Sequence, residues 1–397
     1  MQLKKSKISA YLDALIKNPS KKENVNAIID SYIKAIRDGH QYGYLKQMEK
    51  IQPHILDLLL EIATARIAIS KKFRNWNRLW VDKYLASYST PESIAEYRTK
   101  RLDGFEVLDV GSGSGIQDLI FSEHGINTIG IEKDPVRYRY CQLNAQEFRG
   151  NETKFIHGDA LELNPEKTVN GGTVIFSDPA RPVNEMERSL QTLIPSPTVV
   201  YKIFKDYSPN FAFDLPPQMH RDKIAIDGET EYISIDGNLN RLTLYTGDLS
   251  RSKSSALMLP SGKSIRGEPM DFHGIKGELR DYVLLPDISA SYAGLMHKIV
   301  ELYPVTFLAS DKRRVLFTSE ERIPEFFGEQ YLVLGTTNDL FDLKIYKEND
   351  IGKVFPRFEL DDKEYYEIKN KIEGGLKGAK NLYIFKQENI YIPCLKI

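Results

Sequence analysis

Residues 107–115 read Val107-Leu-Asp-Val-Gly111-Ser-Gly113-Ser-Gly115. A short apolar run, three glycines at alternate positions and an amphipathic stretch from Ile116 predict a strand, a tight loop and a helix. Such a loop lets a ligand approach the backbone at a helix N-terminus. Its G-x-G-x-G spacing differs from the dinucleotide pattern G-x-G-x-x-G, because Ile116 stands where the third glycine would be. Asp109, two residues before the first glycine, suits a ligand with a positive amino group better than a pyrophosphate.

The same texture repeats downstream. Thr128-Ile-Gly-Ile131 leads to Glu132, 23 residues after Asp109. A carboxylate at the end of a second strand accepts hydrogen bonds from ribose hydroxyls. Lys154-Phe-Ile156 leads to His157-Gly158-Asp159-Ala160, where an acidic side chain can accept an adenine amino group. Thr173-Val-Ile-Phe176 leads to Ser177-Asp178-Pro179-Ala180-Arg181-Pro182. Thr198–Phe204 reads as a fifth strand, with Lys202 directed to a cleft. Strands alternating with helices predict an α/β fold with a parallel sheet, which binds ligands at the carboxyl ends of its strands.

The chain has 397 residues, more than one hydrophobic core accommodates, so two or three domains are expected. A hydrophobic fraction of 41% excludes a disordered or collagen-like chain. The net charge of −1 is a cancellation. Residues 1–103 hold 19 Lys+Arg against 11 Asp+Glu, whereas residues 104–250 hold 13 against 22. Cys141 and Cys394 are too few for a disulfide framework, which points to a reducing, cytoplasmic compartment. No metal is expected, since the seven His show no ligand spacing. No membrane span is expected either: the most apolar stretch, residues 55–69, contains Asp57, Glu61 and Arg66. Lys4, Lys5 and Lys7 are followed by no apolar signal-peptide core.

Apolar spacing predicts helices over residues 9–17, 24–37 and 55–69. Asp236-Gly237-Asn238 between two β-rich runs is a hairpin signal. Residues 253–277, rich in Ser, Gly and Lys, read as a loop. A strand near 282–285, a helix near 292–302 and a strand near 315–318 follow. The last 70 residues read as a β-α-β unit over 330–334, 361–372 and 381–386. The expected organisation is an N-terminal helical region (1–85), a Rossmann-like domain with an appended hairpin (86–250), a ferredoxin-like α+β region (251–322) and a C-terminal α+β domain (323–397).

The glycine loop, Glu132, Asp159 and the Asp178-Pro-Ala-Arg181 motif together resemble the class I S-adenosylmethionine-dependent methyltransferases. Further segments are Ser87–Arg98, Phe213-Asp-Leu-Pro-Pro217, residues 285–297 and Leu316-Phe-Thr-Ser319. With them, the chain resembles a prokaryotic branch with a ferredoxin-like insert and a C-terminal THUMP-like domain. The resemblance implies S-adenosylmethionine as cofactor, held by Thr90, Asp109, Gly111, Ser112, Gly113, Gly115, Glu132, Lys133, Asp159, Ala160 and Asp178. It also implies an RNA-contacting accessory part. Residues 89–95 are similar to the loop that helps close the cofactor site in trimethylguanosine synthases. The chain departs from that family at Ala180-Arg181, where an aromatic would stack on a base, and this argues against guanine-N2 chemistry.

Asp178 is the candidate to accept a hydrogen bond from an exocyclic amine. Pro179 would stiffen the turn, and Arg181 would meet a phosphate or carboxylate. Carbon methylation of pyrimidines needs a cysteine nucleophile, and neither cysteine lies in the expected loops, so both read as packing residues. The segment Lys71-Lys72-Phe-Arg74-Asn-Trp76-Asn-Arg78-Leu-Trp80 alternates cations and aromatics as an RNA surface does. Arg98, Lys100 and Arg101 add a second basic cluster. The other reading of the first segment is an amphipathic helix with Trp76 and Trp80 in the core. Structured RNA is the expected partner. A methyltransferase of a small molecule or protein, or a non-catalytic RNA module, are the alternatives.

Overall fold

The computed structural model describes every residue except Met1, Glu49, residues 150–152, residues 181–188, His220 and Arg313. Two compact units divide the chain: residues 1–228 with 243–251, and residues 229–242 with 252–397.

The first unit begins with α1 (Gln2–Ile16), α2 (Pro19–Arg37), α3 (Gln41–Gln47) and α4 (Pro53–Ile69). Helix α2 starts where Asn18 accepts the Lys21 N–H and Pro19 takes the first position, which needs no N–H. Leu12, Leu15, Val25, Ile29, Ile33, Leu59 and Ile62 form a core that also contains Trp80, Tyr140 and Leu143. The helices thus share a core with residues of the α/β layer. Helices α5 (Lys83–Tyr88) and α6 (Glu92–Leu102) lead into the sheet.

The sheet is built from β1 (Glu106–Asp109), β2 (Thr128–Glu132), β3 (Thr153–His157), β4 (Thr173–Ser177) and β5 (Phe211–Leu215). They lie in the order β3-β2-β1-β4-β5, and every pairing among them is parallel. Between them run α7 (Ile116–Glu123), α8 (Pro135–Ala145), α9 (Pro165–Thr168) and α10 (Pro197–Phe204). Strands β6 (Glu229–Ile235) and β7 (Asn238–Tyr245) are joined at Asp236 and Gly237, both at positive φ, as the hairpin signal predicts.

One strand was expected where a helix stands. Residues 198–204 belong to α10, which starts after Ser196 with Pro197 in its first turn. Val200 and Phe204, four apart, are buried, and Lys202 is exposed rather than directed to a cleft. The β-branched Thr198, Val199 and Val200 suggested the strand, and burial of one helical face outweighs that preference.

In the second unit, residues 253–277 are not simply a loop, since they contain β8 (Ser254–Leu259) and β9 (Lys263–Gly267). The serines that suggested a loop are buried and bonded: Ser254 Oγ donates to the Ala293 carbonyl (2.8 Å) and Ser255 Oγ to Glu229 (2.5 Å). Next come β10 (Tyr282–Pro286), α11 (Ile288–Tyr292), α12 (Met296–Leu302), β11 (Thr306–Ser310), β12 (Val315–Ser319) and β13 (Gly328–Val333). Then follow α13 (Lys344–Glu348), β14 (Ile351–Pro356), α14 (Asp362–Glu373), β15 (Lys380–Gln387) and β16 (Ile390–Lys396). One seven-stranded sheet, β11-β12-β10-β13-β16-β15-β14, contains all the strands from β10 onward. The β-α-β unit is β14-α14-β15, a parallel pair, and not the unit beginning at 330. None of the helices among the described residues is long and apolar enough to cross a membrane.

Candidate functional site

The parallel register sets Asp109 beside Gly130 and Phe176, and Glu132 beside His157. Carboxylates therefore follow the ends of β3, β2, β1 and β4 in spatial order: Asp159, Glu132, Asp109 and Asp178. The glycine loop sits among them. Gly113 and Gly115 have φ of 59° and 70°, which a side chain rarely adopts, and Gly115 is the residue from which α7 starts. A Cβ at Gly111 would project into open space, whereas one at Gly115 would collide with the Phe155 ring. Gly111 thus leaves room for a ligand beside the loop, and Gly115 brings the helix close to β3.

Backbone amides and carboxylates interlock here. The Gly111 N–H donates to Asp109 Oδ1 (2.8 Å). The Gly113 N–H donates to Glu132 Oε2 (2.9 Å), and the Asp134 N–H to Glu132 Oε1 (2.7 Å). Burial pushes the Glu132 carboxyl above its usual range against the pull of those two bonds. The Asp159 side chain accepts from the Leu161 N–H (3.0 Å), with Lys133 Nζ at 3.8 Å and Ala160 buried next to it. Thr90, between α5 and α6, donates to Asp178 Oδ2 (3.3 Å). The residues expected around the cofactor, from Thr90 to Asp178, are thus brought to one edge of one sheet. Pro179 is buried beside Asp178, while Arg181 lies outside the described residues.

Two acidic residues here were missed. Asp214 on β5 pairs with Arg98 and accepts from the Thr243 hydroxyl (2.8 Å). Asp118 on α7 is fully buried, and its carboxyl lies against the Asp109 carboxyl and the Ser112 hydroxyl. Burial, with the neighbouring Asp118 second, raises the Asp109 carboxyl well above its usual range. Burial pushes Asp118 up to about 7. The signal for Asp118 was available: an acidic residue two positions beyond Ile116, on a helix that must pack on β1.

The basic residues fare differently. Arg98 and Arg101 are buried and are corrected as RNA contacts. Arg98 is held by Asp214, Thr243 and Gln117, and Arg101 stacks on Tyr245 with its guanidinium 4.2 Å from the ring centroid. Lys72 donates to the carbonyls of Ala86, Ser87 and Ser89 at the end of α5. Arg74 pairs with Glu92 and Glu96, and Arg78 with Glu23 (3.0 Å). Lys71 and Lys100 are exposed. Residues 71–80 form turns rather than an amphipathic helix, although Trp80 is buried in the core. Cys141 and Cys394 are buried, and burial raises both thiols, so neither is a ready nucleophile.

No protein-family model matches the sequence, and no curated protein is significantly similar to it. Solved structures do match. A candidate methyltransferase from Porphyromonas gingivalis W83 superposes with a TM-score of 0.71 at 15% identity, over 88% of this chain and 92% of that one. The two chains share one fold, with a Rossmann-like α/β sheet. Weaker likenesses include an S-adenosylmethionine-dependent methyltransferase from Neisseria gonorrhoeae, with a TM-score of 0.25 and 16% identity over 33% of this chain and 61% of that one. A further match is the modification subunit of a candidate type I restriction enzyme from Vibrio vulnificus YJ016 (TM-score 0.31, 12% identity, 46% and 50% covered).

Proposed function

We propose that the chain is an S-adenosylmethionine-dependent methyltransferase acting on a base nitrogen of a structured RNA such as tRNA or rRNA. The observation that carries the first part is the row Asp159, Glu132, Asp109, Asp178 around a glycine loop with open space at Gly111. This donor set fits a cationic adenosyl ligand, being rich in carboxylate acceptors, poor in cations and set beside the open space at Gly111. When bound, the cofactor supplies a methyl group activated on a sulfonium.

The chain's own residues then have separate tasks. Asp109 meets the amino group of the ligand. Glu132 keeps lone pairs beyond its two backbone bonds for the ribose hydroxyls. Asp159 accepts from the adenine amino group. Asp178, oriented by Thr90, accepts an N–H of the acceptor and holds its nitrogen in line. Pro179 stiffens the turn, and Arg181 would meet a phosphate.

For the acceptor, exposed Lys71 and Lys100 favour RNA, and this reading includes a THUMP-like role for the C-terminal region. Burial of Arg98 and Arg101, and the carboxylate partners of Arg74 and Arg78, favour the second reading, a small-molecule or protein acceptor. A reducing, cytoplasmic location belongs to the same proposal and rests on two buried thiols. Calorimetry with S-adenosylmethionine tests the cofactor: binding by the natural chain and its loss in Asp109→Ala are expected, and equal binding by both would refute the assignment. Tritiated methyl transfer into RNA from cells lacking the gene tests the acceptor. Label in a small-molecule or protein fraction alone would establish the second reading.

A further inference from the structure

Asp118 lies within the glycine-loop helix, is fully buried and has no hydrogen bond on either carboxyl oxygen. Its neighbour is Asp109, itself buried, whose Oδ1 is occupied by the Gly111 N–H. Two ionised carboxylates cannot lie together out of water without a counter-charge. Among the described residues, no cation acts on this pair to a degree that offsets burial. Arg98, whose guanidinium lies over the Phe176 ring beside β1, is committed to Asp214, Thr243 and Gln117. The remaining groups facing the pair add negative charge or none. They are Glu132 on β2, Asp178 after β4, the Ser112 hydroxyl and the buried Cys141 thiol on α8.

We propose that Asp109 and Asp118 hold a proton between them while the site is empty and release it when a cationic ligand binds at the glycine loop. Asp118 is thus a positioning residue that acts through Asp109. The inference rests on the cofactor reading above. In the step, the carboxyl O–H bond breaks, the proton passes to solvent, and the ligand's ammonium takes its place as the counter-charge. The pair titrates as a unit, so the released proton belongs to both residues. The raised carboxyls of both residues agree with this. Cys141, whose thiol burial keeps protonated, is not the source.

Calorimetric titration of the full chain with S-adenosylmethionine in buffers of different ionisation enthalpy counts the protons. Below about pH 6, release of about one proton per ligand is expected, with affinity rising about tenfold per pH unit there and levelling off above about pH 8. In Asp118→Asn, the amide can donate to an ionised Asp109, so release is expected to vanish and the affinity to become flat with pH. The ammonium of the ligand titrates in both proteins and cancels in the comparison. Binding by the natural chain without proton release overturns this inference and leaves the cofactor reading standing. No binding at any pH overturns both. The buffer series on the natural chain needs no variant, so the inference stays testable should Asp118→Asn fail to fold.

Discussion

At the residue scale, the buried carboxyls set a dependence on pH that does not need the ligand. Asp118 is pushed up to about 7 by burial. A carboxyl raised in the folded state binds more protons than the unfolded chain between its two pKa values, so it costs stability as pH rises through that window. The cost is absent near pH 4, grows toward neutrality and is constant above it. Asp118→Asn is therefore expected to raise the melting temperature of the ligand-free protein at about pH 8 and to leave it unchanged at about pH 4.5. A melting series over pH checks this, and a constant offset at all pH values would count against it. Gly115 makes a backbone prediction. Its φ of 70° and the Phe155 ring, 2.6 Å from where a Cβ would lie, should make Gly115→Ala cost about 1–3 kcal/mol in urea unfolding.

At the element scale, most of the site was legible because strand ends and glycine loops are local. Asp109, Glu132, Asp159 and Asp178 each close or follow a short apolar run, and parallel pairing aligns those ends automatically. What was not legible depended on distant partners. Ser254 and Ser255 look like loop residues until Ala293 and Glu229 take up their hydroxyls. Arg98 looks like a surface cation until Asp214, 116 positions later, neutralises it. Residues 198–204 were ambiguous for another reason, being a short apolar run whose β-branched content and four-residue spacing point to different structures. Helix α10 gives a clean test. Phe204→Ala should cost about 3–5 kcal/mol in denaturant unfolding, because its ring is fully buried. Lys202→Ala should leave stability unchanged. A strand with Lys202 directed inward would reverse that order.

At the scale of the whole molecule, the near-zero net charge conceals an acidic sheet edge that would repel a polyanion. The basic excess of residues 1–103 is the sequence's evident counterweight, but the fold uses much of it internally. Arg66, Arg98 and Arg101 are buried, Lys72 closes α5, and Arg74 and Arg78 face carboxylates. An RNA acceptor must then draw on the cations that remain exposed, of which Lys71 and Lys100 belong to the two clusters flanking the loop that carries Thr90. The double variant Lys71→Glu, Lys100→Glu separates attraction from folding, because neither side chain is buried. If these lysines neutralise phosphates, RNA affinity should fall, and the slope of log affinity against log salt should drop by about one for each phosphate left without its lysine. The melting temperature should be unchanged. The same reversal at Lys72 would uncap α5 and confuse the two effects. Unchanged affinity and salt slope in the double variant would remove this surface from RNA recognition, leaving the acceptor as a small molecule or protein or shifting RNA binding to the second unit. Methyl transfer into fractionated RNA then decides between those outcomes.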